Sequence, residues 1–297
     1  MKALIYLISE SRYTDPPEKD WNVEQILLED ELITKALASY DIQTERVDWA
    51  DTSVDWSKAD IALFRTPWDY FVRISEFKEW MERVEHQVRF INPLETIHWN
   101  FHKSYLQDLE EKGFPIVPSI FIDQGDSRSL TDIAESIPWN EFIIKPCISG
   151  GGFGTYRIGP HNLAEHIEDY NALIAERDMM VQEFHPSIQA RGEVSHMVMG
   201  GTYTHSILKR AKGEDFRVQD DFGGTVHPYE AQEEEIALAE AVFNACDPMP
   251  VYGRLDVMWN ESGEQMISEL EIIEPELWFR EHPPAAEVLA AHLNTLI

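Results

Sequence analysis

One segment constrains this chain more than any other: Ile267-Ser268-Glu269-Leu270-Glu271-Ile272-Ile273-Glu274-Pro275. Acidic and apolar residues alternate in it, and on a strand residues two apart share a face. Glu269 and Glu271 therefore point one way, with Leu270 and Ile272 turned into a core. Two carboxylates side by side on an interior strand repel each other unless a cation sits between them. Leu255-Asp256-Val257-Met258-Trp259 reads as a neighbouring apolar strand, and Asp256 supplies a third oxygen ligand. Magnesium suits such a site: hard oxygen ligands, few protein groups, and substrate phosphates completing the octahedron. The competing reading is a solvated edge strand with its acids outward, which the apolar surroundings make less attractive.

The strand pair ends a chain of mixed architecture. Residues 2–8, 44–47, 61–64 and 88–91 read as strands. They alternate with helical periodicity over 22–39 and 75–85, the second capped by Ser75. This rhythm predicts a parallel sheet covered by helices. Asn92-Pro93 breaks it. A helix over 99–111 comes next, ended by Gly113, then strands over 116–122, 142–146, 156–158 and 179–184 and a helix over 163–175. The last third carries strands over 193–199, 202–208, 251–259 and 265–273 and a helix over 233–244. The fold class expected is α/β followed by α+β.

Charge narrows the partners. The 297 residues include 54 acidic and 24 basic side chains, a net charge of −30. A surface this acidic repels nucleic acid and anionic membrane. No apolar run approaches the roughly 20 residues a spanning helix needs. Residues 1–9 read as a first strand and lack the pattern of a signal peptide, so a cytoplasmic protein is expected. Cys147 and Cys246 are far apart and fit no disulfide framework or zinc site. Any polyanionic ligand must meet locally concentrated Lys and Arg, with divalent metal.

Such a concentration is present. Ile143-Ile144-Lys145-Pro146 places a lysine at the end of an apolar strand, where it is partly desolvated unless it meets an anion. Ser149, Gly150, Gly151 and Gly152 come after it, then Phe153-Gly154. The glycines allow positive φ and let backbone N–H groups approach phosphate oxygens. The spacing is neither the GxxxxGK[ST] phosphate loop nor the dinucleotide fingerprint. A plain hairpin turn is the alternative; so many glycines favour a mobile phosphate-covering loop. In Val181-Gln182-Glu183-Phe184-His185, the Glu183–His185 stretch could lie in a crevice where edge backbone pairs with an adenine, and Glu193 could accept from ribose hydroxyls; taken alone, an ordinary strand with an acidic end explains the segment better. Lys103, Lys209, Arg210, Lys212 and Arg217 are further candidate phosphate counter-charges. Arg65-Thr66-Pro67-Trp68-Asp69-Tyr70, with Arg73 behind it, comes directly after an apolar strand, where open α/β sheets place ligand loops. Arg65 and Arg73 suit a substrate carboxylate and Asp69 an amine, while packing of Trp68 and Tyr70 at a domain interface explains them equally well.

Taken in order, Lys103, Lys145 with its glycine loop, Gln182-Glu183-Phe184, Glu193, Asp256, Glu269 and Glu271 resemble the pattern of the ATP-grasp superfamily. The resemblance implies an N-terminal α/β substrate domain (1–92), a central lobe with a glycine-rich lid loop (93–187) and a C-terminal lobe with the metal site (188–297). It implies that Lys103 and Lys145 touch ATP phosphates, that Glu183 and the Phe184 backbone hold adenine, and that Glu193 holds ribose. Asp256, Glu269 and Glu271 would bind Mg2+, with Mn2+ as a substitute. Many members carry Glu-x-Asn where this chain has Glu269-Leu270-Glu271, which leaves open a register with Glu271 as the main ligand. A narrower similarity, to D-cycloserine synthetases and glutathione-synthetase-like ATP-binding proteins, is carried by Arg65 to Tyr70, Asn92-Pro93, Trp99-Asn100, Lys103-Ser104-Tyr105-Leu106, Gly113 to Pro118, Phe216-Arg217-Val218-Gln219 with Gly223-Gly224, and Glu274-Pro275.

The activity implied is an ADP-forming carboxylate–amine ligase acting through an acyl phosphate on a small amino-acid-like substrate, with intramolecular cyclisation as one form. Lys209 and Arg217 are the catalytic candidates, Arg217 for an oxyanion or the leaving phosphate. A phosphotransferase and a non-catalytic nucleotide-binding regulatory protein are the alternatives. Relatives suggest a homo-oligomer, by analogy only.

Overall fold

The computed structural model describes residues 2–213, 217–218 and 223–297. The first elements are β1 (Ala3–Ser9), α1 (Ser11–Thr14), α2 (Trp21–Ala38), β2 (Ile42–Asp48), β3 (Ile61–Thr66), α3 (Ile74–Val84) and β4 (Arg89–Ile91). Their strands form a parallel sheet of order β2-β1-β3-β4. β3 is buried along its whole length, as expected of a strand covered on both faces. The side chain of Asp20 caps α2 by accepting from the Val23 amide. In α3 the predicted face, Phe77, Trp80, Met81 and Val84, is buried; the helix begins at Ile74 with Arg73 as its cap residue, not at a Ser75 cap.

The next run is α4 (Leu94–Asn100), α5 (Tyr105–Glu111), β5 (Ser119–Ile122), α6 (Leu130–Ser136), β6 (Phe142–Pro146), β7 (Tyr156–Ile158), α7 (Ile167–Glu176) and β8 (Met179–Glu183). It holds an antiparallel sheet of order β5-β8-β6-β7. The single helix expected over 99–111 is two. The chain breaks at residues 101–104, where the Lys103 amide donates to the Cys147 carbonyl at 3.0 Å and leaves the helical ladder.

The last run is α8 (Ser187–Ala190), β9 (Glu193–Met199), β10 (Thr202–Arg210), β11 (Thr225–Tyr229), α9 (Glu233–Asn244), β12 (Tyr252–Trp259), β13 (Gln265–Glu271) and α10 (Pro284–Thr295). Its sheet is antiparallel, of order β11-β10-β9-β12-β13. Within it Asp256 stands opposite Glu269, and Arg254 opposite Glu271. β12 is buried throughout.

Three contacts fix the sheets against one another. The Asn92 amide accepts from the Val251 and Tyr252 N–H groups and donates to the Tyr252 and Ile272 carbonyls, so one side chain uses its full hydrogen-bonding capacity across two sheets. The segment before β5 runs alongside β13 through Val117 N–H to Ile267 O (2.9 Å) and Ile267 N–H to Pro115 O (2.8 Å). Helix α10 returns to pack on α2. No helix among the described residues is long and apolar enough to cross a membrane.

Candidate active site

These contacts leave a cavity of about 670 Å³ between the sheets. Lys103, Lys145, the glycine loop from Ser149 to Gly152, Gln182, Glu183, Phe184, Glu193, Lys209, Arg217, Asp256, Glu269 and Glu271 all line it. Residues separated by more than 160 positions thus share one wall. Phe216 and Gln219, named with Arg217 in the sequence, lie outside the described residues.

The acidic strand pair faces this cavity and is not a solvated edge. Asp256 is 3% exposed and accepts from Arg254 Nε (3.0 Å) and Nη2 (2.9 Å), from Ser195 Oγ, and from Lys209 Nζ (3.2 Å). Burial pushes its carboxyl up, but Arg254 and Lys209 outweigh that and hold it well below the usual range. Glu269 pairs with Lys103 Nζ at 2.7 Å and is also lowered, against its own burial, by Lys103 and Lys145. Glu271 takes Arg254 Nη2 at 2.5 Å, yet it is pushed up to about 8, first by burial and then by Asp256, Glu269 and Glu274 against the pull of Arg254. Glu274 is pushed up to about 7, chiefly by burial. Fully ionised, the wall would therefore carry more negative charge than its own cations offset.

That imbalance bears on a metal. The donors are hard carboxylate oxygens of the kind Mg2+ takes, and the raised Glu271 and Glu274 mark where positive charge is short. Among the described residues no three His, Cys, Asp or Glu side chains are gathered closely enough to hold an ion, because Lys103, Arg254 and Lys209 each draw a carboxylate aside. The donor set fits the metal, and its conformation is the basic-paired one.

Lys145 also lines the cavity, half-buried, and among the described residues its ammonium has no hydrogen-bonded partner. Desolvation lowers its pKa, against the pull of Glu269. The neighbouring Lys103 donates to the Ser149 carbonyl (3.1 Å) as well as to Glu269, tying the start of the glycine loop to β13. Gly151 and Gly152 adopt positive φ (54° and 71°), which turns the loop back over the cavity. Glu193 is held by Lys209 at 2.6 Å and accepts from Ser268. The Arg157 guanidinium covers Phe184 at 3.7 Å, and Glu183 pairs with His185 at 3.0 Å. Gln182 bonds Ser119 within its own sheet.

The segment after β3 divides. Trp68 and Tyr70 line the cavity; Trp68 Nε1 donates to the Glu274 carbonyl at 3.0 Å, and the Tyr70 hydroxyl bonds the Glu274 carboxyl. Arg65 is not part of it. It is 2% exposed and bonds Asp30 (2.8 Å) and Glu29 (3.1 Å), two acids buried on α2 that need a cation. Glu29 in turn accepts from the Leu277 and Phe279 amides. Asp69 and Arg73 also lie outside the cavity lining: Asp69 accepts from Trp49 Nε1 (2.7 Å) and from Arg73 (2.8 Å), whose guanidinium rests on the Trp49 ring. The grip expected of Arg65, Asp69 and Arg73 on a substrate is therefore corrected. Sequence reasoning missed Arg254, Glu274, Arg12, Asn22, Glu276 and Trp278, all of which line the cavity. Arg254 was accessible, since it lies two residues before Asp256 on the same strand face.

Known proteins resemble this chain over most of its length. Residues 5–92 match the family model of the D-cycloserine synthetase DcsG N-terminal domain, and residues 114–256 that of the prokaryotic glutathione synthetase ATP-grasp domain. The cycloserine biosynthesis protein DcsG of Streptomyces lavendulae is 29% identical over 265 residues, covering 82% of this chain and 86% of that protein. The crystal structure of D-cycloserine synthetase DcsG superposes with a TM-score of 0.85 at 26% identity over 99% of both chains. D-alanyl-alanine synthetase A from Vibrio cholerae shares the fold, with a TM-score of 0.68 at 15% identity over 98% of this chain and 96% of that one. Two consecutive family models and an end-to-end structural match place the chain in the ATP-grasp superfamily, among its ADP-forming ligases that make C–N bonds.

Proposed function

We propose that the chain activates the carboxylate of a small amino-acid-like substrate with ATP and joins it to an amine, through an acyl phosphate. The observation that carries this reading is Lys145: a half-buried, desolvated ammonium without a partner among the described residues, lining the cavity beside a glycine loop, calls for an anion. In this reading Lys145 and Lys103 hold the phosphates, and the amides of the loop at Gly150 to Gly152 cover them. Glu183 and the Phe184 backbone take the adenine and Glu193 the ribose. Three sheets, each confined to one stretch of chain, support lobes at 1–92, 93–187 and 188–297.

The substrate carboxylate attacks the γ-phosphorus and ADP leaves; the amine then attacks the acyl carbonyl, loses its proton, and expels phosphate. Lys103 and Lys145 offset the charge of the transferring phosphoryl group, which is most of the catalysis such a transfer requires. Asp256, Glu269 and Glu271 would hold Mg2+ (or Mn2+), which would supply a Lewis acid for the same charge. Lys209 keeps Glu193 and Asp256 together, while Arg217 and Arg254 face the acyl carbon and stabilise its oxyanion. The glycine loop keeps water from the acyl phosphate. A cytoplasmic location accords with a reaction that consumes ATP.

Phosphate release from Mg-ATP, screened over amino acids and O-ureido-D-serine with product mass recorded, tests the proposal. Phosphate and amide or ring product in equal amounts are expected. A phosphorylated product that accumulates with amines present would make the protein a phosphotransferase, and binding without turnover would make it a sensor of nucleotide.

A further inference from the structure

Phe153 is a large apolar side chain, 38% exposed, on a loop otherwise made of glycines. Its ring packs on Phe71 of the segment after β3, with centroids 5.6 Å apart. Arg177, at the end of α7, touches both: its guanidinium lies 5.1 Å from the Phe153 ring and donates to the Phe71 carbonyl at 3.4 Å. The loop backbone also lies against Phe71, for a Cβ placed on Gly150 would come within 3.1 Å of that ring. Phe71 itself is held from behind. The turn carrying it is closed by hydrogen bonds from Tyr70 N–H to Pro67 O and from Arg73 N–H to Tyr70 O, and Trp68 and Tyr70 both fasten it to Glu274. The segment that lines the substrate end of the cavity is thus bolted to the acidic wall and offers one aromatic ring to the loop of another sheet.

We propose that Phe71 and Phe153 form an aromatic latch that holds the glycine loop closed, and that Phe71 is a positioning residue which ties the substrate-side segment to closure over ATP. The functional half of this inference rests on the ligase reading. Offset or tilted aromatic pairs add stabilisation beyond their buried area, and the latch joins elements with no other aromatic contact between them among the described residues. A ligand that displaces Trp68 or Tyr70 moves Phe71 with them, so the two ends of the cavity report to each other through this pair.

The test is amide hydrogen exchange of residues 150–154 in the full chain without nucleotide, for wild type, Phe71→Ala, Phe153→Ala, the double variant and Phe153→Tyr, followed by Mg-ATP calorimetry on the same proteins. Each alanine variant should speed loop exchange about fivefold, as loss of one aromatic pair implies. The double variant should be no faster than the faster single, Phe153→Tyr should exchange as wild type, and exchange in β1 and β3 should be unchanged. Mg-ATP should bind about fivefold more weakly to either alanine variant. Loop exchange altered less than twofold, effects that multiply in the double variant, or Mg-ATP affinity equal to wild type's in both singles would overturn the latch. Wild-type protein that bound no Mg-ATP would remove the ligase reading instead, while the exchange rates still judged the aromatic contact.

Discussion

Arg254 reaches across the β12–β13 pair to Glu271, with Nη2 2.5 Å from Oε1, while Nε and the same Nη2 hold Asp256 on its own strand. One guanidinium therefore stands in the centre of the acidic wall. It holds Asp256 ionised but does not offset the repulsion that Asp256, Glu269 and Glu274 exert on Glu271.

Glu271→Gln removes a carboxylate from that crowded wall without changing its shape. Turnover of ATP should fall at least ~100-fold, the scale of losing one pre-organised electrostatic group. The fold should survive, because the amide keeps the size of the side chain and still accepts from Arg254. Phosphate release and a thermal melt check both halves; unchanged turnover would sink the metal assignment.

Arg65 should behave as a structural residue. Arg65→Ala strands Glu29 and Asp30 in the interior, and breaking such a buried pair costs about 3–5 kcal/mol. Urea denaturation should show that loss. A stable variant with a raised KM for its amino-acid substrate would restore the substrate role that burial contradicts.

His205 sets a pH dependence away from the site. Burial and the stacked ring of His282, 4.9 Å away, push its pKa down to about 4 from an ordinary value near 6.5. The folded protein keeps this imidazole neutral, whereas the unfolded chain takes up a proton below about pH 6.5. Stability should thus be fully present above pH 6.5, decline as pH falls, and level off below about 4, by on the order of 3 kcal/mol. Denaturation of wild type and His205→Leu between pH 7 and 5 checks this: the variant should lose less stability than wild type over that range.

Elements with a local period are the legible ones. Glu269-Leu270-Glu271 alternates at the end of β13, and the face of α3 is spaced as a helix requires, so both can be read from the sequence. Lys145 is legible because an ammonium ending an apolar strand conflicts with its surroundings. Arg65 misleads because the residues that neutralise it, Glu29 and Asp30, are more than thirty positions away on a helix, and nothing in their spacing marks them as buried acids in need of a cation. The break between α4 and α5 depends on a bond from Lys103 to Cys147, a tertiary contact that overrides helical periodicity. Glu274 and Trp68 meet across two sheets, and no spacing within either segment announces that meeting. The helix over Pro284–Thr295 is absent from the elements expected of the sequence, although its buried Ala285, Ala286, Leu289, Ala290 and Leu293 have helical spacing.

The central claim, that the half-buried Lys145 awaits the phosphates of ATP, is tested most directly by calorimetric titration of Mg-ATP into wild type and Lys145→Ala. Metal-dependent binding to wild type is predicted, weakened at least ~10-fold in the variant, as expected for loss of a charge-assisted contact to phosphate. The variant should melt no lower than wild type, since it removes a partly desolvated charge without a partner among the described residues. Absence of binding to wild type, or equal affinity in both proteins, would contradict the claim.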